Sequence, residues 1–409
     1  MITINRVLIT TVLISLFLLS CNEKSSNQIN TKSPKRTDSL TVSLQKFQDK
    51  NILPGFVVSI FTKDSILYQK GFGYSNVADK KLYNEENIQM IASITKTLVG
   101  VSLMKLVEDG KLKLDEPINN ILPFEVINPK FPETPITLRH LATHTSSIGD
   151  SELSDKGYRF ETPLKENEFP EAWHPLLENY NKTEDITMGE FLKRKLYKEG
   201  KWYEKSVFND SQPSVEYEYS NLGATLLAYI IQISKGENFD DYTNELILKP
   251  LDMNSSNWDI DKIKKDRHIS YYNELYNEIP KYYIITYPDG GLYSSVSDLT
   301  KYLQEMMKGY SGESSLLSKE SFREMMSHQY DKEELTEGLC WDLSIEGLIG
   351  HAGNDFGTST LMYFSPESGI GRILFTNIST ENEDQEETFY GIYNLLFKYD
   401  LSNEAVGKH

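Results

Sequence analysis

Basic charge is in short supply in this chain. Against 60 Asp and Glu stand 42 Lys and Arg over 409 residues, a formal net charge of -18. Such a surface repels phosphate backbones, so nucleic acid is excluded as a natural partner. Long apolar runs are also lacking. The run near the N-terminus, Val7 to Leu19, is broken by threonines and a serine, and a bilayer-spanning helix needs about 20 apolar residues. Cysteine is limited to Cys21 and Cys340. The G-x-G-x-x-G and Walker spacings that cradle phosphates are absent, and no internal repeat is visible. A zinc site is missing its parts as well. His140 and His144 stand four apart on a predicted helix, but Leu141 occupies the place where a metalloprotease needs Glu, and no third ligand lies nearby. Both histidines are therefore expected to be structural, with no metal bound.

What is present begins with an address. Arg6 supplies a positive n-region, and Val7 to Leu19 has the length of a secretory h-region. Leu18-Leu19-Ser20-Cys21 resembles the bacterial lipoprotein lipobox. That resemblance implies cleavage before Cys21, a diacylglycerol on its sulfur and an acylated amine. Residues 1–20 then form a signal peptide, and 21–38, rich in Ser, Asn and Lys, a disordered tether. Asn22 is not the aspartate that retains lipoproteins in the inner membrane, so the expected location is the bacterial cell envelope, lipid-anchored to the outer membrane. With Cys21 lipidated, Cys340 has no disulfide partner and is expected as a small buried apolar residue, not a nucleophile. The remaining 39–400 are expected as one folded domain, with 401–409 as a tail.

One stretch organises that domain: Ile91-Ala92-Ser93-Ile94-Thr95-Lys96-Thr97, followed by mostly apolar residues until Gly110. The pattern predicts a buried helix from about Thr95 to Glu108, with Gly110 as its stop. Ser93 then sits at the first turn with Lys96 on the same side. A hydroxyl beside an amine, at the positive end of a helix dipole, is a candidate activated nucleophile.

The other elements follow in order. A first helix is predicted over Ser39 to Lys50, then strands over Gly55 to Phe61 and Ser65 to Tyr74. Asp150 to Pro213 is charged and aromatic, with Trp173, Tyr180, Trp202 and Tyr203. It holds one predicted helix, Met188 to Lys198, and the rest reads as irregular chain of the kind that forms binding loops. Tyr219-Ser220-Asn221 opens an apolar helix, Ala224 to Ile233. A tyrosine there accepts a proton if a nearby ammonium lowers its pKa. Gly290 and Gly291 approach a helix capped near Ser297-Asp298. The C-terminal part is β-rich: Leu348 to Gly353, Phe356 to Phe364 and Gly371 to Asn377, with turns at Asn354-Asp355 and Pro366 to Gly369, then a helix from Glu387 to Tyr399. Strands from both chain ends around helices predict an α+β fold, an antiparallel sheet flanked by helices with a mostly helical central lobe at roughly 100–290.

Taken in order, these pieces resemble the serine β-lactamase-like family of class C β-lactamases, DD-carboxypeptidases and related esterases. Ser93-Ile94-Thr95-Lys96 matches its S-x-x-K, Tyr219-Ser220-Asn221 its Tyr-x-Asn, and His351-Ala352-Gly353 the His-x-Gly form of its third motif. Leu141 to Ser146, Pro250 to Met253 and Gly290 to Ser295 match supporting segments. The resemblance implies a β-lactamase/transpeptidase-like fold and acyl transfer through a covalent ester on Ser93. Lys96 and Tyr219 would share removal of its proton, with the choice of base open. Asn221 would orient Lys96 or the substrate amide, and the backbone N–H groups of Ser93 and Asn354, just after His351 and Gly353, would form the oxyanion hole. No metal or organic cofactor is implied. Three departures stand out: His351 and Ala352 replace Lys and Thr of the lactamases, Ser147 replaces the glycine of H-T-S-G, and Ser214 that of the P-G before Tyr-x-Asn.

The expected function is a serine hydrolase on a small ester, amide or D-amino-acid peptide, with weak or no β-lactamase activity because a fixed positive charge and a hydroxyl are lost. A catalytically idle binding module or sensor for cell-wall fragments is the alternative, and a surface adhesion lipoprotein a third. The expected partners are the substrate and the membrane lipid, with the protein a monomer.

Overall fold

The computed structural model describes residues 36–150, 156–182, 184–332, 336–399 and 401. The expected signal peptide, Cys21, nearly all of the tether and all but the first residue of the tail lie outside these. Among the described residues no helix is long and apolar enough to cross a membrane.

Six strands form one antiparallel sheet: β1 (Gly55–Phe61), β2 (Ile66–Asn76), β3 (Lys81–Leu82), β4 (Ile349–Asp355), β5 (Thr358–Ser365) and β6 (Ile370–Thr376), in the order β4-β5-β6-β1-β2-β3. The two chain ends meet where Phe56 of β1 pairs with Thr376 of β6. Every residue of β1 and β6 is buried, as the pleat demands of a strand covered on both faces. Alternate side chains of β1 enter different cores: Val57 and Phe61 on one face, Phe56, Val58 and Ile60 on the other.

Helices cover both faces. α1 (Arg36–Gln48) and the C-terminal α5 (Glu383–Lys398) bury Leu40, Leu44, Phe389, Ile392 and Leu396 on the second face. On the first face α4 (Val296–Ser311) packs on β1, β5 and β6, while α2 (Lys96–Glu108) and α3 (Asn221–Lys235) pack on each other, and all three share the larger core. Local chemistry sets their ends. Gly110 stands at φ 70° just past α2, and Ser220 caps α3 by accepting from Gly223 N–H. α3 ends at Gly236 in the left-handed region.

Three expectations shift. The turn placed at Asn354-Asp355 falls at Phe356-Gly357, because Gly357 takes φ 70° at little steric cost, and Asn354 and Asp355 extend β4. Ser295, not Ser297, caps α4. His140 and His144 do not share a helix. That helix spans Leu138–Ala142, and His144 lies beyond it at φ 54°. Among the described residues no group of three or more His, Cys, Asp or Glu is placed to hold a metal ion.

Candidate active site

The strand Ile88–Met90 delivers the chain to a 3-10 turn, Ala92–Thr95, that runs directly into α2. Ala92 makes the corner at φ 48°, a left-handed conformation that costs a non-glycine residue about 1–2 kcal/mol. That strain sits one residue before Ser93, where it fixes the direction of the turn. Ser93 lies in the 3-10 turn, so its N–H has no intrahelical acceptor.

Lys96 is wholly buried and its Nζ has three neighbours: Ser93 Oγ at 3.0 Å, Asn221 Oδ1 at 2.7 Å, and the backbone oxygen of Asp289. Two of these are carbonyl oxygens that only accept, while the serine hydroxyl can also donate. Both charge states satisfy the set: an ammonium donates to all three oxygens, and a neutral amine donates to the two carbonyls and accepts from the Ser93 hydroxyl. Burial lowers the Lys96 pKa, against Asp289, Asp150, Cys340 and Asp355, which favour the ammonium.

The Asn221 amide is locked from behind. Its N–H and Nδ2 both donate to Asp150 Oδ2, at 2.9 and 2.8 Å, and Leu222 N–H donates to Asp150 Oδ1 at 3.0 Å. With nitrogen committed to Asp150, oxygen must face Lys96. Asp150 thus caps the start of α3 and sets the amide orientation together.

Tyr219 stands over this group, with Lys96 Nζ 5.0 Å from its ring centroid. Its hydroxyl is shielded from solvent and has no hydrogen-bond partner among the described residues. Burial drives its pKa well above 10, with the Ser93 hydroxyl working against the rise. The expectation that an ammonium lowers this pKa is corrected: desolvation of the phenolate prevails, and the residue is a phenol. His144 packs on Tyr219 at 4.5 Å between centroids and accepts from Ser220 N–H through Nδ1 at 3.1 Å. Burial holds it far below its usual pKa, hence neutral.

β4 forms the opposite wall. Gly350 exchanges both backbone hydrogen bonds with Asp342, on the side away from β5. Alternation along the strand then turns the backbone of Ala352 and Asn354 to that same side. Gly353 is needed for close approach. A Cβ there would lie 2.9 Å from Ser93 N and 2.7 Å from Ile91 O. His351 Nδ1 faces Ala352 O, which can only accept, so Nδ1 carries the proton. Burial, aided by Lys96, lowers the His351 pKa to about 4.

Ser93, Tyr219, Asn221, His351, Gly353 and Asn354 all line one cavity of about 580 Å³. Lys96 lies buried behind it. The motif residues from three distant segments are thus brought together. Asp150 and Asp289 had no motif role in the sequence, and only their nearness to matched segments hinted at one, whereas His144 stands inside the matched segment Leu141 to Ser146 and was expected to be structural. Cys340 is buried as expected, and burial pushes its thiol up to about 12. Ser147 and Ser214 adopt φ 63° and 75°, so serine occupies two left-handed positions where a glycine fits without strain.

The sheet, its two helical layers and the serine–lysine cleft define the penicillin-binding protein and β-lactamase class of fold. A family model described as beta-lactamase matches residues 43–396. The chain belongs to the beta-lactamase family. Among curated proteins it is similar to the mouse (Mus musculus) serine beta-lactamase-like protein LACTB, mitochondrial, 27% identical over 323 residues, 65% of this chain and 56% of the relative. It thus spans a little over half the length of that relative. Among solved structures it resembles the octameric penicillin-binding protein homologue from Pyrococcus abyssi, with TM-score 0.68 and 25% identity over 89% of this chain and 78% of that one. A class C beta-lactamase superposes with TM-score 0.64 and 18% identity, covering 90% and 98%, which shows the shared fold.

Proposed function

We propose that the protein is a serine hydrolase that works through an acyl-enzyme on Ser93. The observation that carries this is the buried Lys96 amine, 3.0 Å from Ser93 Oγ and held by two carbonyl oxygens. Lys96 Nζ takes the Ser93 proton as Oγ attacks a carbonyl carbon. The tetrahedral oxyanion lies between the N–H groups of Ser93 and Asn354. Tyr219, a phenol beside the reacting serine, passes a proton to the leaving group and regains one from Lys96. Water then attacks the ester, with the same groups returning a proton to Ser93 Oγ. Asn221 holds Lys96, and His351 and Gly353 shape the β4 wall.

The substrate class follows from charge. A β-lactam or a D-Ala-D-Ala terminus carries a carboxylate, and here His351 is neutral while no Lys or Arg is among the described residues lining the cavity. Esters and amides without that carboxylate fit better, which favours an esterase or aminoacyl hydrolase over a β-lactamase. The test is turnover of 4-nitrophenyl esters, a D-Ala-D-Ala peptide and a penicillin by the full chain and by Ser93→Ala. Ester hydrolysis lost in Ser93→Ala supports the reading. Binding of wall peptides without turnover of any of the three would favour the sensor instead.

We further propose that Cys21 anchors the protein by lipid in the bacterial envelope, as a monomer whose site is assembled from one chain. The lipobox-like Leu18 to Cys21 supports the anchor. Radiolabelled palmitate should enter the protein and be absent from Cys21→Ser; equal labelling of both would refute the anchor.

A further inference from the structure

A second cavity, of about 340 Å³, lies beside the first and shares Asn221 and Asn354 with it. Tyr158, Trp173, Leu176, Tyr180 and Phe191 of its lining come from the aromatic segment that follows Asp150. Trp173, Tyr158 and Tyr180 converge on Phe356, just past β4, with ring centroids 4.7, 5.1 and 5.3 Å from it. Trp202 of the same segment is not among the rings on Phe356 and packs instead against Phe191, another residue lining the cavity. Asp289, Asp355 and Glu381 also line this space, and the Tyr158 hydroxyl donates to Asp355 Oδ2 at 3.3 Å. No Lys or Arg is among the described residues lining either cavity, whereas Glu337, Asp342 and Glu386 add acidic groups to the first.

Aromatic faces and carboxylates attract the same kind of guest, a cation. The carboxyl groups do not converge on a metal-holding point, since no such group occurs among the described residues. They are spread around an aromatic-walled space, which suits an organic ammonium. Burial raises Asp289 to about 6 and Asp355 to about 7, and a cation bound beside them works against that rise by favouring the charged forms. Position settles which part of the substrate enters. Tyr219, which serves the leaving group, lines the first cavity and not the second. Ser93 also lines only the first, so what passes Asn221 and Asn354 into the second is the far end of the acyl chain, remote from the reacting bond.

Resting on the hydrolase reading, we propose that the cavity walled by Tyr158, Trp173, Tyr180 and Phe356 and lined by Asp289 and Asp355 selects acyl groups that carry an ammonium. The substrates are amine-bearing esters or amides, aminoacyl compounds included.

Three 4-nitrophenyl esters of matched chain length test this with the full chain: 6-aminohexanoate, heptanoate and the half ester of heptanedioate. The ammonium ester is expected to exceed the methyl-ended ester in kcat/KM by about tenfold, with the carboxylate-ended ester slowest. Trp173→Ala and Asp355→Asn should each shrink the ammonium-to-methyl ratio. Because that ratio is read within one preparation, a partial loss of folded protein cancels from it. Equal rates for the ammonium and methyl esters, or a faster carboxylate ester, would overturn the inference and leave the hydrolase reading standing. No turnover of any ester, together with no adduct from a fluorophosphonate, would overturn both.

Discussion

At the scale of single residues, the proposed chemistry turns on Lys96. An amine works as a base only when unprotonated, and burial lowers its pKa from 10.5. Ester hydrolysis should therefore rise with pH along a limb set by Lys96 and centred below 10.5. Lys96→Ala should lower kcat by about 10²–10⁴-fold and remove that limb. A pH–rate profile of both proteins checks this, and an unchanged limb in Lys96→Ala would assign it elsewhere. Ser214 offers a second test at this scale. It sits at φ 75° and its side chain makes no hydrogen bond among the described residues, so Ser214→Gly should stabilise the fold by about 1 kcal/mol. Ser147→Gly should gain less, because Ser147 Oγ accepts from Asn128 Nδ2 at 2.9 Å. Denaturant midpoints measure both. The motif residues were legible in the sequence because short spacings carry them. Asp289 and Asp150 were not, since they reach Lys96 and Asn221 across 193 and 71 residues of chain.

At the scale of elements, the site depends on how closely β4 approaches the Ser93 turn. A Cβ at Gly353 would press on Ser93 N, Ile91 O and Thr360 Oγ1 together. Gly353→Ala should displace β4, cost an oxyanion donor its place and lower kcat by about 10²-fold or more, with a smaller effect on KM. Steady-state kinetics test this, and near-normal kcat would show that the strand's approach is dispensable. The strands and long helices were legible from apolar periodicity and caps, to within a few residues. The β4–β5 turn was not: Asn354-Asp355 is the stronger local turn signal, but the register with β5 and the left-handed Gly357 place it later. The aromatic segment was legible only as composition. Which rings would meet Phe356 depends on tertiary packing, and Trp173 and Tyr180 do while Trp202 does not.

At the scale of the whole molecule, buried titratable groups make stability depend on pH. Asp355 is raised to about 7, Glu381 to about 7 and Glu337 to about 8, chiefly by burial. These acids bind more protons folded than unfolded between about pH 4 and 8, so their contribution falls as pH rises through that window. His140, His268 and His351 are lowered to about 4 and act oppositely, but only up to about pH 6.5, where the unfolded imidazoles lose their protons. Between pH 6.5 and 8 the acids prevail, and the net charge of -18 adds repulsion in the same direction. The melting temperature should be lower at pH 8 than at pH 6.5, by calorimetry at constant ionic strength. A higher value at pH 8 would contradict this balance.

The most direct test of the central claim is the intact mass of the full chain after exposure to a fluorophosphonate, with Ser93→Ala and Lys96→Ala run alongside. The account predicts one phosphonyl adduct on the native protein, none on Ser93→Ala, and a much slower one on Lys96→Ala. An adduct that persists in Ser93→Ala, or none on the native protein, would contradict it.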